Sequence, residues 1–147
     1  MFYLFTIIAL ILDQASKFLV KSGFWDLNRI EYLNWWVFFQ KTANTGAAFS
    51  FPIEWLPLQM LTILLIGAIL YYYFKHEENR KNTFVQASYG LIIGSALSHA
   101  YERICVGHVV DFVWVKYFAI FNFADIFITA GAIILVLTHL WVWKQKK

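Results

Sequence analysis

Asp111 and Asp125 have no basic residue at helical spacing, and the segment between them can reverse direction and bring their side chains together. Two neighbouring carboxylates resist ionising at once, so one keeps a proton while the other stays charged. That pairing suits deprotonation of a water by one group and donation of a hydrogen bond to a peptide carbonyl by the other. Taken as isolated residues, Asp125 serves equally as the N-terminal cap of a helix and Asp111 as an acid on a loop surface.

The remaining ionisable groups in apolar surroundings offer competing chemistry. Asp13 and Lys17 lie four apart, on one helical face, and read as a structural ion pair. Glu102 and Arg103 adjoin each other at the end of an apolar stretch. His99-Ala-Tyr-Glu102 and His108-Val-Val-Asp111 could converge on a zinc ion, but neither HExxH nor HxxEH is present, and no metal is expected. Ser50, Ser95 and Ser98 lie in no GxSxG elbow, and Ser16 and Lys17 are neighbours that point apart on a helix. The single cysteine, Cys105, has no disulfide or CxxC partner.

The elements that must hold these residues are apolar helices. Trp55 to Phe74, Asn82 to Tyr101 and Ile126 to Trp143 carry no Asp, Glu, Lys or Arg, and each is about one bilayer long. Met1 to Val20 is interrupted by Asp13 and Lys17. It lacks a basic start and a small-x-small cleavage site, so it is expected to be a retained helix rather than a signal peptide. The expected fold is an all-α membrane protein, one domain over 1–147, with helices at about 1–20, 55–74, 82–103 and 125–143. Outer loops are expected at 24–54 and 104–124.

Composition agrees with lipid as solvent: 61% of the 147 residues are hydrophobic and 14% charged, against about a quarter charged in soluble domains. The net charge of +3 comes from Lys and Arg beside apolar stretches, which fits cytoplasmic retention rather than nucleic-acid binding. Lys75, Arg80 and Lys81 follow the second stretch and Lys144, Lys146 and Lys147 the last. Both ends of the chain are therefore expected in the cytoplasm and both longer loops outside it. The first outer loop carries Tyr32, Trp35, Trp36, Phe38, Phe39, Phe49 and Phe51. The β-prone run Tyr32 to Phe39, with a turn at Asn44-Thr45-Gly46, predicts a small strand pair on the outer leaflet.

Four segments together resemble the bacterial lipoprotein signal peptidases, the signal peptidase II family of four-helix aspartyl proteases. They are Asp13-Gln-Ala-Ser-Lys17, Asn44-Thr-Gly-Ala-Ala-Phe49, Gly107-His-Val-Val-Asp111-Phe112 and Phe121-Asn-Phe-Ala-Asp125. The resemblance implies that Asp111 and Asp125 are the catalytic pair and that Asn44, Arg103, Asn122 and Ala124 line the substrate pocket, with Gly46 allowing close approach of the loop. His99 and Glu102 stand where the family typically has Asn and Asp, and are expected beside the substrate. Glu102 keeps the charge on a longer arm, and His99 can titrate near neutrality. The implied substrate is a prolipoprotein with a diacylglyceryl cysteine, cut N-terminal to that cysteine at the periplasmic side of the bacterial inner membrane. The enzyme is expected to act as a monomer among membrane lipids, without a cofactor. The altered Ser98 to Glu102 stretch keeps open a second reading, a non-catalytic paralogue that binds such precursors or lipopeptides. A transporter is less suited, because no chain of acids crosses the bilayer.

Overall fold

A computed structural model describes residues 1–24, 31–32, 36–46, 55–76 and 81–145. The expected features at Trp35, Phe49, Phe51, Arg80, Lys146 and Lys147 lie outside the described residues.

Helix α1 (Phe2–Lys21) buries Phe2, Ala9, Asp13, Ser16, Lys17 and Val20, a stripe at helical spacing, and leaves Ile7, Ile8, Ile11 and Leu12 exposed. It ends where Gly23 takes the left-handed conformation at φ 77°, just past the Ser22 amide that bonds Phe18 O at 2.8 Å. Helix α2 (Trp55–Lys75) carries Pro57 in its first turn, where a missing N–H leaves no helical bond unmade. Helix α3 (Thr83–Cys105) starts at Asn82, whose side chain accepts from the amides of Phe84 at 2.9 Å and Val85 at 3.3 Å. Its end is closed by the Val106 and Gly107 amides, both bonded to Glu102 O, with Gly107 at φ 83°. Helix α4 (Phe123–Gln145) completes the set of four long helices among the described residues.

Helix α3 is the central one: α1, α2 and α4 all pack against it. Contact with α1 is close enough that a Cβ at Gly90 would stand 2.6 Å from Phe2 O, and one at Gly94 would collide with Thr6 O. An apolar cluster of Phe2, Tyr73, Val85, Tyr89 and Ile93 holds one end of the bundle, with the Phe2 and Tyr73 rings stacked at 4.4 Å. The apolar side chains of α4 are largely exposed, among them Ile133, Val136, Leu137, Leu140 and Trp141. A helix apolar on its outer face is stable there only if its solvent is lipid. By length and composition α1 and α4 can each cross a membrane, and Gln59–Lys75 is a shorter apolar stretch. Helix α3 is less apolar because its buried face carries Ser88, Ser95, Ser98, His99 and Glu102.

The strand pair expected in the first outer loop is present, β1 (Glu31–Tyr32) against β2 (Val37–Asn44), and two strands of the second loop, β3 (Val109–Val115) and β4 (Ala119–Phe121), extend it into one antiparallel sheet of four in the order β1-β2-β3-β4. Strand β2 runs into Asn44, and its long partner is β3, seven residues that are apolar except for Asp111. Such a run reads as a loop in the sequence because alternation, the usual mark of a strand, is missing where both faces are covered. Val110, Phe112, Val113 and Val20 form a second apolar cluster beneath the sheet.

Candidate active site

Strand β3 places Asp111 in the middle of the sheet, opposite Thr42 of β2. Between Phe39↔Val113 and Thr42↔Asp111 the register slips by one residue, a bulge in β2. Side chains alternate along a strand, so this extra residue moves Asn44 onto the face that carries Asp111. Asn44 then reaches diagonally across the pair, and its Nδ2 donates to Asp111 Oδ2 at 2.9 Å. Asn44 Oδ1 accepts from the Gly46 amide at 3.0 Å, which fixes which end of the amide faces Asp111.

Asp125 comes from the first turn of α4. Asn122 Oδ1 accepts from the Asp125 amide at 3.3 Å, and Asp125 Oδ2 accepts from the Asn122 amide at 3.0 Å, a reciprocal capping box. The N-terminal cap of α4 is therefore Asn122 rather than Asp125, which stands three residues on in the first turn and also faces the cavity. Asn122 joins the two acids, because its Nδ2 donates to Asp111 Oδ1.

Both aspartates line a cavity of about 660 Å³ together with Asn44, His99 and Arg103. Its other wall is apolar: Phe118 to Phe121 from the β3–β4 hairpin and Ile126, Ala130 and Ile133 from α4. The acids differ in setting. Asp111 is 3% exposed, whereas the Asp125 side chain is 41% exposed. Burial pushes the Asp111 carboxyl up to about 6, and the nearby charge of Asp125 pushes the same way. The hydrogen bonds from Asn44 and Asn122 and the positive charge of Lys17 hold it back.

The other expected site residues divide into two groups. His99 Nε2 is 3.1 Å from Asn122 Oδ1 and 3.8 Å from Asp125 Oδ1, and Arg103 Nη2 donates to Gly46 O at 3.2 Å. Arg103 thus holds the backbone of the Asn44–Gly46 turn against the cavity. Glu102, Asn122 and Ala124 do not line the cavity; all three are fully buried. Asn122 and Ala124, expected to line the pocket, and Glu102, expected beside the substrate, thus differ from the sequence reading. The Glu102 carboxylate meets Lys17 Nζ at 2.8 Å and also pairs with Lys21. His99 and Glu102, three positions apart, leave α3 on the same side; the two lysines of α1 draw the Glu102 carboxylate away from the cavity. Among the described residues, no three His, Cys, Asp or Glu side chains are grouped to hold a metal ion.

Asp13 and Lys17 pair at 2.6 Å, fully buried, and Lys17 bridges Asp13 to Glu102. Each carboxylate of this chain holds the backbone amide just before one cavity aspartate. Asp13 Oδ1 accepts from Ala124 N at 2.8 Å, and Glu102 Oε2 accepts from Val110 N at 3.3 Å. Ser98 adds a hydrogen bond to Asp13 Oδ2 at 2.6 Å and receives one from Gln14. The sequence reading missed Lys21, Gln14 and the hairpin wall. Lys21 was visible, four residues after Lys17 on the same face of α1; the hairpin wall had no local signal.

The family model described as signal peptidase (SPase) II matches residues 5–141. Among curated relatives, the lipoprotein signal peptidase of Pseudomonas fluorescens strain Pf-5 is 34% identical over 97% of this chain and 86% of its own length. That of Brucella ovis is 33% identical over 96% of this chain and 90% of its own. Two solved structures, both described as bacterial membrane enzymes crystallised by the in meso method, superpose with TM-scores of 0.84 and 0.79 at 26% identity. They cover 98% and 93% of this chain and 90% of each neighbour. With the family model spanning nearly the whole sequence and relatives above 30% identity end to end, this chain belongs to the signal peptidase II family.

Proposed function

We propose that this protein is an intramembrane aspartyl endopeptidase that removes the signal peptide from diacylglyceryl-modified prolipoproteins, cutting N-terminal to the lipidated cysteine. The observation that carries the reading is the unequal pair of carboxylates on one cavity, Asp111 buried and Asp125 open to solvent, bridged by Asn122. Asp111, whose carboxyl keeps its proton to about pH 6, polarises the scissile carbonyl by donating a hydrogen bond. Asp125, the more exposed carboxylate, takes a proton from water as that water attacks. Asp111 passes its proton to the carbonyl oxygen as the gem-diol forms; on collapse the proton on Asp125 goes to the leaving amine and a hydroxyl proton of the gem-diol returns to Asp111. Keeping both acids together on one cavity favours a peptidase over a precursor-binding paralogue.

The rest of the cavity suits this substrate. Its apolar wall from Phe118 to Ile133 offers acyl chains a surface as apolar as the bilayer. Arg103 holds the Asn44–Gly46 turn where the peptide would pass, and Asn44 and Asn122 keep Asp111 aimed at the cavity. A substrate anchored by a signal helix and two acyl chains diffuses in the membrane plane. We therefore read all four helices as membrane-spanning, with both ends of the chain cytoplasmic, the sheet and cavity at the periplasmic interface, and the enzyme a monomer of the inner membrane.

The test is incubation of purified protein in detergent micelles with a diacylglyceryl-modified precursor, with and without a chelator. Cleavage is expected to resist the chelator and to be abolished in Asp111→Asn and in Asp125→Asn, both still folded in membranes. Wild-type turnover by either variant would overturn the assignment.

A further inference from the structure

His99 stands beside Asn122, the residue that touches both acids. Asn122 presents Nδ2 to Asp111 and its carbonyl Oδ1 to the Asp125 amide, so the oxygen of that side chain faces His99. A carbonyl can only accept, so the ring nitrogen 3.1 Å away must carry a hydrogen, which assigns the Nε2–H tautomer to neutral His99. The same nitrogen stands 3.8 Å from Asp125 Oδ1, close enough for an ion pair once the ring takes a second proton. His99 also lines the cavity, where water can bring that proton.

We propose that His99 is a positioning residue for both aspartates: neutral, it fixes the Asn122 amide that serves Asp111; protonated, it is the counter-ion that keeps Asp125 ionised. The proposal rests on the assignment of Asp111 and Asp125 as the reacting pair and extends it to a third titrating group. Its consequence is a cleavage rate that persists to lower pH than the two acids alone would allow. The charges that act on the ring come from each neighbouring element. They are Asp125 on α4 and Asp13 and Lys17 on α1. Arg103 and Glu102 lie within a turn on α3, and Asp111 on β3 is reached through Asn122. Glu102 is already bound to Lys17 and Lys21, and Asp13 to Lys17, so Asp125, which also faces the charge of Arg103, is the acid placed to pair with the ring.

Glutamine separates the two roles, since its amide nitrogen reaches about as far as Nε2, donates the same bond to Asn122 and carries no charge. The experiment is the pH profile of kcat/KM for cleavage of a diacylglyceryl-modified precursor by the full-length protein, as wild type, His99→Gln and His99→Ala. His99→Gln is expected to retain a higher kcat above neutrality than His99→Ala, and its acid limb is expected to move up from the wild-type position by about one pH unit. His99→Ala is expected to lose kcat across the whole range. Parallel profiles for wild type and His99→Gln would overturn the proposal.

A second measurement does not depend on turnover: the imidazole signals of isotope-labelled protein are titrated by NMR, with the His99 resonance assigned by its loss in His99→Gln. In Asp125→Asn the His99 midpoint is expected to move to lower pH by about one unit, because the counter-ion is gone. An unmoved midpoint would overturn the proposal even if cleavage were intact. Normal cleavage by Asp111→Asn would instead overturn the dyad, leaving the His99–Asp125 coupling to be read from the NMR titration alone.

Discussion

Asp111 carries the charge that the site has most difficulty holding. A carboxyl raised to about 6 in the folded protein, from its ordinary 3.8, binds its proton more tightly folded than unfolded. Its contribution to stability is therefore fully present below the unfolded value and is lost as pH rises through about 6, an effect of roughly 3 kcal/mol. The catalytic consequence has the same sign: if the proton on Asp111 is needed, kcat/KM has a descending limb with a midpoint near pH 6. In kcat the limb should lie higher, because bound substrate displaces water and burial raises a carboxyl further. Asn122→Ala tests the same residue from its partner's side. It deletes a hydrogen bond that favours ionised Asp111 and the cap of α4, so the descending limb of kcat/KM should move to higher pH. Loss of that cap should also lower stability by about 1 kcal/mol, read from thermal unfolding.

The helices and strands decide where such residues can stand. Lys17 holds α1 to α3 and, through Asp13 and Glu102, fixes the amides of Ala124 and Val110. Lys17→Met would leave two buried carboxylates facing each other, and thermal unfolding in detergent should show a loss of roughly 3–5 kcal/mol. Adding Glu102→Gln to Lys17→Met should recover part of that loss, because the two residues share one network. The glycines give a paired test of the α1–α3 seam. A methyl at Gly94 meets the carbonyl oxygen of Thr6, so Gly94→Ala should destabilise by about 1–3 kcal/mol. A methyl at Gly67 on α2 meets open space, so Gly67→Ala should be neutral or stabilising by up to about 1 kcal/mol in the same assay.

At the scale of the molecule, Cys105 reports the topology. It is exposed at the end of α3 that leads into β3, the side assigned to the periplasm. A membrane-impermeant maleimide should label it in intact spheroplasts without permeabilisation; labelling only after lysis would invert the assignment of both loops. The sequence by itself determined lipid as the solvent, the apolar helices and the meeting of Asp13 with Lys17. Those features follow from composition and from spacing within one helix. It also identified Asp111 and Asp125 through the resemblance of short motifs in order. That β3 is a buried strand paired with β2 emerges on packing alone, because a run apolar on both faces carries no period of its own. The same holds for the β2 bulge that turns Asn44 to Asp111 and for the two lysines that turn Glu102 away from the cavity. Register and ion pairing join residues far apart in the chain, and the free energy that selects them comes from contacts that exist only once the elements have packed.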